Sequence, residues 1–221
     1  TIRGLIINRF AGDGIDVNGD GNIVAGNYIG TDASGAVDQG NGWDGIALDS
    51  SNNVIGGSLP ADRNVISGNA GFGVRSYGGT HNTVRGNYIG TNAAGSAAIG
   101  NDLGGISFYN GASINNLVEN NVVSGNTGFG GVIFQLGASF NRARGNYIGT
   151  NAAGTAAIPN TAGVAIWYGH ASGNVIGGTT PADRNVISGN NTGVMLGTPE
   201  NTVIGNYIGL NAAGTAPVPN Q

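Results

Sequence analysis

Asn82-Thr83-Val84-Arg85-Gly86-Asn87-Tyr88-Ile89-Gly90 decides the fold. Two short apolar runs, Thr83–Arg85 and Tyr88–Ile89, are separated by Gly and a fixed Asn, too short for a helical turn to be sustained but long enough for strands. The core of this stretch, Gly-Asn-Tyr-Ile-Gly, begins at Gly26, Gly86, Gly145 and Gly205, with spacings of 60, 59 and 60 residues. Each copy opens a similar loop, such as Thr150-Asn151-Ala152-Ala153-Gly154-Thr155-Ala156-Ala157-Ile158-Pro159-Asn160. Pro-Ala-Asp-Arg-Asn-Val-Ile-Ser-Gly-Asn begins at Pro60 and Pro181, and Asn121-Val122-Val123-Ser124-Gly125-Asn126 is a shortened relative. Repeats at fixed periods signal stacked supersecondary units.

Superposing the two strings halves the period. Asn followed by an apolar pair recurs at Asn27, Asn64, Asn87, Asn121, Asn146, Asn185 and Asn206. Gly followed by Ile or Val recurs at Ile15, Ile46, Val74, Ile106, Val132, Val164 and Val194. A third column reads Val24, Val54, Val84, Val118, Ala143, Val175 and Val203. Three columns of seven predict an all-β, right-handed parallel β-helix of about seven coils, each with three short strands. In the Ile/Val column the residue two further on is apolar in most coils and the residue between is mixed, an inward and outward alternation of period two. The Asn column is expected to form a hydrogen-bonded ladder at one corner. Stacked about 4.8 Å apart, seven coils would stand roughly 35 Å tall.

Composition agrees. The 221 residues include 44 Gly and 31 Asn, 39% are hydrophobic, and only 9% are charged. Eight Arg and no Lys face twelve acids, a net charge of −4, which gives no electrostatic footprint for nucleic acid. Cys is absent, which removes disulfides and thiolate metal sites. No apolar run approaches the roughly 18 residues of a membrane span. No signal peptide is read, and Thr1-Ile2-Arg3-Gly4 resembles the middle of a coil. Residues 1–221 are therefore expected to be one β-helix domain cut from a longer protein.

The strings at Asn82–Gly90 and Asn174-Val175-Ile176-Gly177-Gly178 resemble the β-helix repeats of large bacterial secreted and surface proteins in the pectate-lyase-like superfamily. The resemblance spans essentially the whole chain. It implies a secreted or cell-surface location, and a choice among lyases, hydrolases, epimerases, adhesins and stalks.

Enzymes of that group bind sugar polymers along one sheet's outer face, so the outward columns carry the candidate site. Three residues after each inward Ile/Val stand Asn18, Asp49, Tyr77, Tyr109, Gln135, Trp167 and Gly197. Asp49, Arg75, Tyr77, Tyr109, Gln135, Trp167 and Tyr168 are the expected carbohydrate contacts, with His170 at the edge. The competing expectation is that these aromatics cover a loop or ladder against one another. Asp16 and Asp49, with Asp44 nearby, are the face's carboxylates and Arg75 its cation. The adjacent-acid and Gly-His-Gly strings of polygalacturonase-like enzymes, the Arg-x-Pro-x-x-Arg string of pectate lyases and the Asp-Pro-His-Glu string of alginate epimerases are missing, and His81 and His170 lack an evident carboxylate partner. No catalytic residue is assigned. Asp16-Val17-Asn18-Gly19-Asp20-Gly21-Asn22 matches half of a Ca²⁺ loop, but Asn27 stands where the bidentate Glu belongs and Val17 points inward, so a metal-free turn is expected.

Asp62-Arg63 and Asp183-Arg184 are expected to form local ion pairs or caps, and Glu119 to sit between Arg85 and Arg144. The Thr-Asn-Ala-Ala-Gly loops would present a surface of about 10 Å period, which raises lateral packing and, less well matched, ice binding. The preferred expectation is a non-catalytic surface segment (spacer, adhesin or filament element) with polysaccharide or another copy as partner and no cofactor. The alternative is a polysaccharide lyase, hydrolase or epimerase module.

Overall fold

A computed structural model describes all of residues 1–221. The chain winds as a right-handed parallel β-helix with three sheets of eight, eight and seven strands. The first sheet contains Ile2–Arg3, Ile23–Ala25, Val54–Gly56, Thr83–Arg85, Leu117–Glu119, Arg142–Arg144, Val175–Gly177 and Thr202–Ile204. The second holds the two-residue strands of the Asn column, from Ile6–Ile7 and Tyr28–Ile29 to Tyr207–Ile208. The third runs from Ile15–Val17 and Ile46–Leu48 through Phe72–Ser76, Gly104–Tyr109, Val132–Gln135 and Ala162–Trp167 to Thr192–Leu196. Seven coils are complete and two further strands begin an eighth. Every named strand pairing is parallel, as expected of a chain that returns to each sheet once per coil.

The core is the bore of this cylinder. Ile29, Ile66, Ile89, Val123, Ile148 and Ile187 line it from the second sheet, and Phe108 stacks on Phe134 at 5.7 Å between ring centres. One inward position breaks the apolar row: Ser76 is buried, and its hydroxyl donates to the Gly78 carbonyl at 2.6 Å. A Gly precedes each inward Ile/Val because a side chain would not fit. A Cβ on Gly73 would lie 2.6 Å from the Ile89 side chain and 2.9 Å from the Asn101 amide.

All three corners carry Asn ladders, where the sequence suggested one. Asn27, Asn64, Asn87, Asn121, Asn146, Asn185 and Asn206 are linked in order, each side-chain amide donating to the next Oδ1 at 2.9–3.1 Å. A second, unforeseen ladder runs from Asn41 through Asn69, Asn101, Asn126, Asn160 and Asn190 to Asn220 at 2.8–3.2 Å. The third passes through Asn53, Asn82, Asn116, Asn141, Asn174 and Asn201, the Asn82–Asn116 link being made by the Asn82 backbone N–H at 2.8 Å. Backbone N–H groups that leave the sheet at a corner are thereby satisfied inside the protein.

That third ladder corrects the register of the first sheet. Val84 pairs with Ile55, and Ala143 with Ile176, so Ile55 and Ile176 point inward in place of Val54 and Val175. The constant is distance from the ladder: Asn53 to Ile55, Asn82 to Val84 and Asn174 to Ile176 are each two residues. Aligning on the identity of Val slipped two coils by one position, which exchanges faces.

The Tyr of each Gly-Asn-Tyr-Ile-Gly string supports the loop that follows it. Gly95 has φ +64°, and a Cβ there would come 2.9 Å from the Tyr88 ring. These loops, emitted every second coil, bond directly to one another: Ala93 N–H donates to Gly35 O, Ala152 to Gly95 and Ala212 to Gly154, at 2.8–2.9 Å. No helix is long and apolar enough to cross a membrane.

Candidate functional site

The outer face of the third sheet gathers most of the unusual chemistry. Arg75, the outward residue of Phe72–Ser76, lies under three aromatic rings, its guanidinium carbon 4.4 Å from the centre of Tyr77, 4.7 Å from Tyr109 and 5.2 Å from Phe72. Parallel pairing puts Tyr77 and Tyr109 on neighbouring coils with ring centres 6.3 Å apart and planes at 61°. Cation–π stacking of this kind holds the arginine flat without neutralising it. Arg75 makes no ion pair within 4.0 Å, and its Nε–H is buried without an acceptor.

Beside it lies Asp44, from the preceding coil. It is buried, its Oδ1 accepts the Phe72 N–H at 2.7 Å, and its Oδ2 accepts the Tyr77 hydroxyl at 3.3 Å. Burial pushes the Asp44 carboxyl above the usual carboxylate range, with the nearby Asp13 charge adding to the rise; the Phe72 N–H and the Arg75 charge offset only part of this. Burial raises the Tyr77 phenol too, helped by the Asp44 charge. Trp43, Asp44, Gly71, Arg75, Tyr77 and Leu103 border an open cleft of about 250 Å³. Trp43 is 62% exposed on its rim. One cation, one hydrogen-bonding carboxyl and the two rings of Trp43 and Tyr77 suit a polar ligand with an apolar face.

The seven expected contacts therefore separate. Arg75, Tyr77 and Tyr109 meet as one group, and Arg75 and Tyr77 line the cleft. Gln135 continues the row but is buried, its amide donating to the Ser107 hydroxyl at 3.1 Å. Trp167 packs edge-on against Phe129 at 5.8 Å, and Phe129 stacks on Phe72 at 6.0 Å. Together with Ile133, Ala162 and Ala165 these rings make a small apolar cluster outside the bore. Around Trp167 the covering expectation holds: Phe129 comes from the turn before Val132–Gln135 and folds back over the sheet. Tyr168 lies against Trp167 and is 60% exposed, and Asp49 stands exposed two coils before Tyr109; neither lines the cleft.

Trp43, Leu103 and Phe129 were not among the expected residues, and Asp44 was noted only as nearby. A signal existed for one column: two residues before the inward Ile/Val stand Asp13, Asp44 and Phe72, just upstream of the Gly.

Elsewhere, Asp16 Oδ2 accepts the Asn18 amide at 3.0 Å, and Asp20 Oδ1 accepts the Ser51 N–H at 2.7 Å. In the half-matched Ca²⁺ loop Asp16 is thus bonded within the turn and Asp20 to the next coil, with Val17 buried beneath them. His81 and His170 are both exposed, His81 Nδ1 lying 3.0 Å from the Thr80 hydroxyl. The expected local ion pairs are corrected. Asp62 binds Arg3 at 2.8 Å and accepts the Leu59 N–H, whereas Asp183 binds Arg142 and Arg144 at 3.1 and 3.2 Å. Arg63 and Arg184 instead lie over Tyr88 and Tyr207, because the inserted turn carries Asp and Arg side chains in opposite directions. Glu119 does sit between Arg144, at 2.8 Å, and Arg85, at 3.7 Å.

No protein-family model, curated protein or solved structure matches this chain.

Proposed function

We propose that this chain is a non-catalytic structural segment of a secreted or cell-surface protein, a stiff solenoid that holds a saccharide-contact cleft at a fixed point along its length. The pectate-lyase-like resemblance of its repeats belongs to the same reading. The observation that carries it is the Arg75 cleft seated on coils locked by ladders at every corner. Coils tied at three corners resist shear and bending, which suits a spacer or adhesin. In the cleft, Trp43 and Tyr77 offer ring faces to the apolar side of a pyranose, and Arg75 keeps unspent N–H donors for its hydroxyl or acidic groups.

The test is titration of a panel of neutral and acidic polysaccharides, followed by tryptophan fluorescence and by the polymer's chain length. Binding should quench Trp43, should disappear in Tyr77→Ala, and should leave the polymer uncut. Absence of binding across the panel refutes the contact. A shortened or chemically altered polymer refutes the non-catalytic reading and establishes the lyase, hydrolase or epimerase alternative.

A further inference from the structure

Charge on this chain is divided by face. Arg3, Arg63, Arg85, Arg142, Arg144 and Arg184 lie on the first sheet or the corner leading from it to the second, where they meet only Asp62, Glu119 and Asp183. Six positive charges against three negative leave that side at +3. The remaining two Arg and nine acids carry −7, in a chain of net −4. A basic side on an acidic protein attracts anions to one place.

The geometry there is built by the Pro60–Asp62 turn. This insertion leans toward the preceding coil: its Asp62 carbonyl accepts the Gly26 N–H at 2.9 Å and its carboxylate holds Arg3. On the other side it leaves a recess of about 270 Å³, walled by Leu59, Pro60 and Arg63 and floored by Arg85, Gly86 and Glu119. The Arg63 guanidinium lies 4.1 Å over the Tyr88 ring and donates only its Nε–H, to Gly86 O at 3.3 Å. Its two terminal nitrogens have no acceptor in the protein. The Arg85 Nε–H is buried and unbonded. Its terminal nitrogen is 3.7 Å from Glu119, whose other oxygen is held by Arg144 at 2.8 Å. Glu119 is thus largely committed to Arg144, and Arg85 is left with donors to spare. A buried N–H without an acceptor costs about 1–3 kcal/mol and is rarely left so.

The repeat itself shows that Arg85 is not needed to build the corner. The second insertion, Pro181–Asp183, leans the same way, with Arg184 over Tyr207 at 4.2 Å and bonded to Gly205 O. There the residue corresponding to Arg85 is Ile204, for Arg85 pairs with Gly56 and Ile204 with Gly177.

We propose that the recess between Arg63 and Arg85 is an oxyanion site that takes one carboxylate or sulfate group, separate from the Arg75 cleft. Guanidinium forks match the paired oxygens of such groups. The recess is smaller than the roughly 300–1,000 Å³ pockets of drug-sized ligands, so it fits an anionic group and its immediate carrier, not a long polymer segment. The anion can be free or borne on an acidic glycan, and the experiment separates the two.

A sulfated oligosaccharide and inorganic sulfate are titrated calorimetrically against the full chain at low and moderate NaCl. Arg85→Ile, which copies Ile204, and Arg63→Ala are compared with Arg9→Gln, a control at an exposed arginine outside both the recess and the Arg75 cleft. The oligosaccharide should bind, weaken with salt, and lose at least about tenfold in affinity in each recess variant at unchanged melting temperature, with Arg9→Gln unaffected. Competition by inorganic sulfate supports a site sufficient for the free ion; its failure to compete supports a glycan-borne group. Binding of neither probe, or equal affinity in Arg85→Ile, overturns the proposal, whatever becomes of the Arg75 cleft.

Discussion

Replacing Asn121 by Ala tests the claim that the corners, as much as the bore, hold the coils together. Asn121 is buried in the middle of its ladder. Its Oδ1 accepts the Asn87 N–H at 3.0 Å and the Asn87 side-chain amide at 3.1 Å. Its own amide donates to Val84 O at 2.9 Å and Asn146 Oδ1 at 3.0 Å. Alanine removes all four bonds and leaves the Asn87 N–H buried without an acceptor. At about 1 kcal/mol for each bond, the loss is about 4 kcal/mol. That is a large share of the roughly 5–15 kcal/mol by which domains are stable. Asn18→Ala is the control, an exposed residue with one bond to Asp16, expected to cost no more than about 0.5 kcal/mol. Equilibrium unfolding in guanidinium chloride, followed by circular dichroism and tryptophan fluorescence, reads both. With a slope of roughly 4 kcal/mol per M, Asn121→Ala should move the midpoint down by about 1 M. Coincidence of the two probes would license that conversion, since long repeat arrays can lose cooperativity. A shift no larger than that of Asn18→Ala would refute the reasoning, because water would then be replacing the ladder bonds.

Gly40→Ala should destabilise by about 3 kcal/mol or more, since a Cβ there would fall 1.8 Å from the Gly68 carbonyl oxygen, whereas Gly12→Ala, with nothing within 4 Å, should be close to neutral by thermal melting. Asp44 predicts a pH dependence of opposite sign to that of a paired carboxylate. Its folded pKa is raised, so the folded state binds the extra proton and this contribution to stability falls as pH rises from the unfolded value near 3.8 through the folded one. Asp44→Asn should flatten that slope and raise the melting temperature at neutral pH; an unchanged difference between acidic and neutral melts would refute it.

How much of this was legible in the sequence follows from what is local. Strand alternation and the distance from a Gly or Asn to the next inward residue are properties of a few adjacent residues. They gave the coil count, the columns of the second and third sheets, the ladder beginning at Asn27, and Arg75, Tyr77 and Tyr109 as neighbours. The other two ladders were hidden because Asn41, Asn69 and Asn101 sit at the ends of loops of unequal length, and Asn53 and Asn82 were passed over for the Val beside them. Only stacking showed that each Asn needs its counterpart one coil away. The sites depend on stacking still more. Asp44 and Trp43 reach Arg75 from the coil before it, Phe129 covers Trp167 from the turn of another coil, and Arg63 approaches Arg85 because an insertion leans away from it. These pairs are about 22 to 38 residues apart in sequence and carry no shared local pattern. Local chemistry determined that the chain coils; how loops of different length fall across neighbouring coils, a matter of packing, decided which side chains meet.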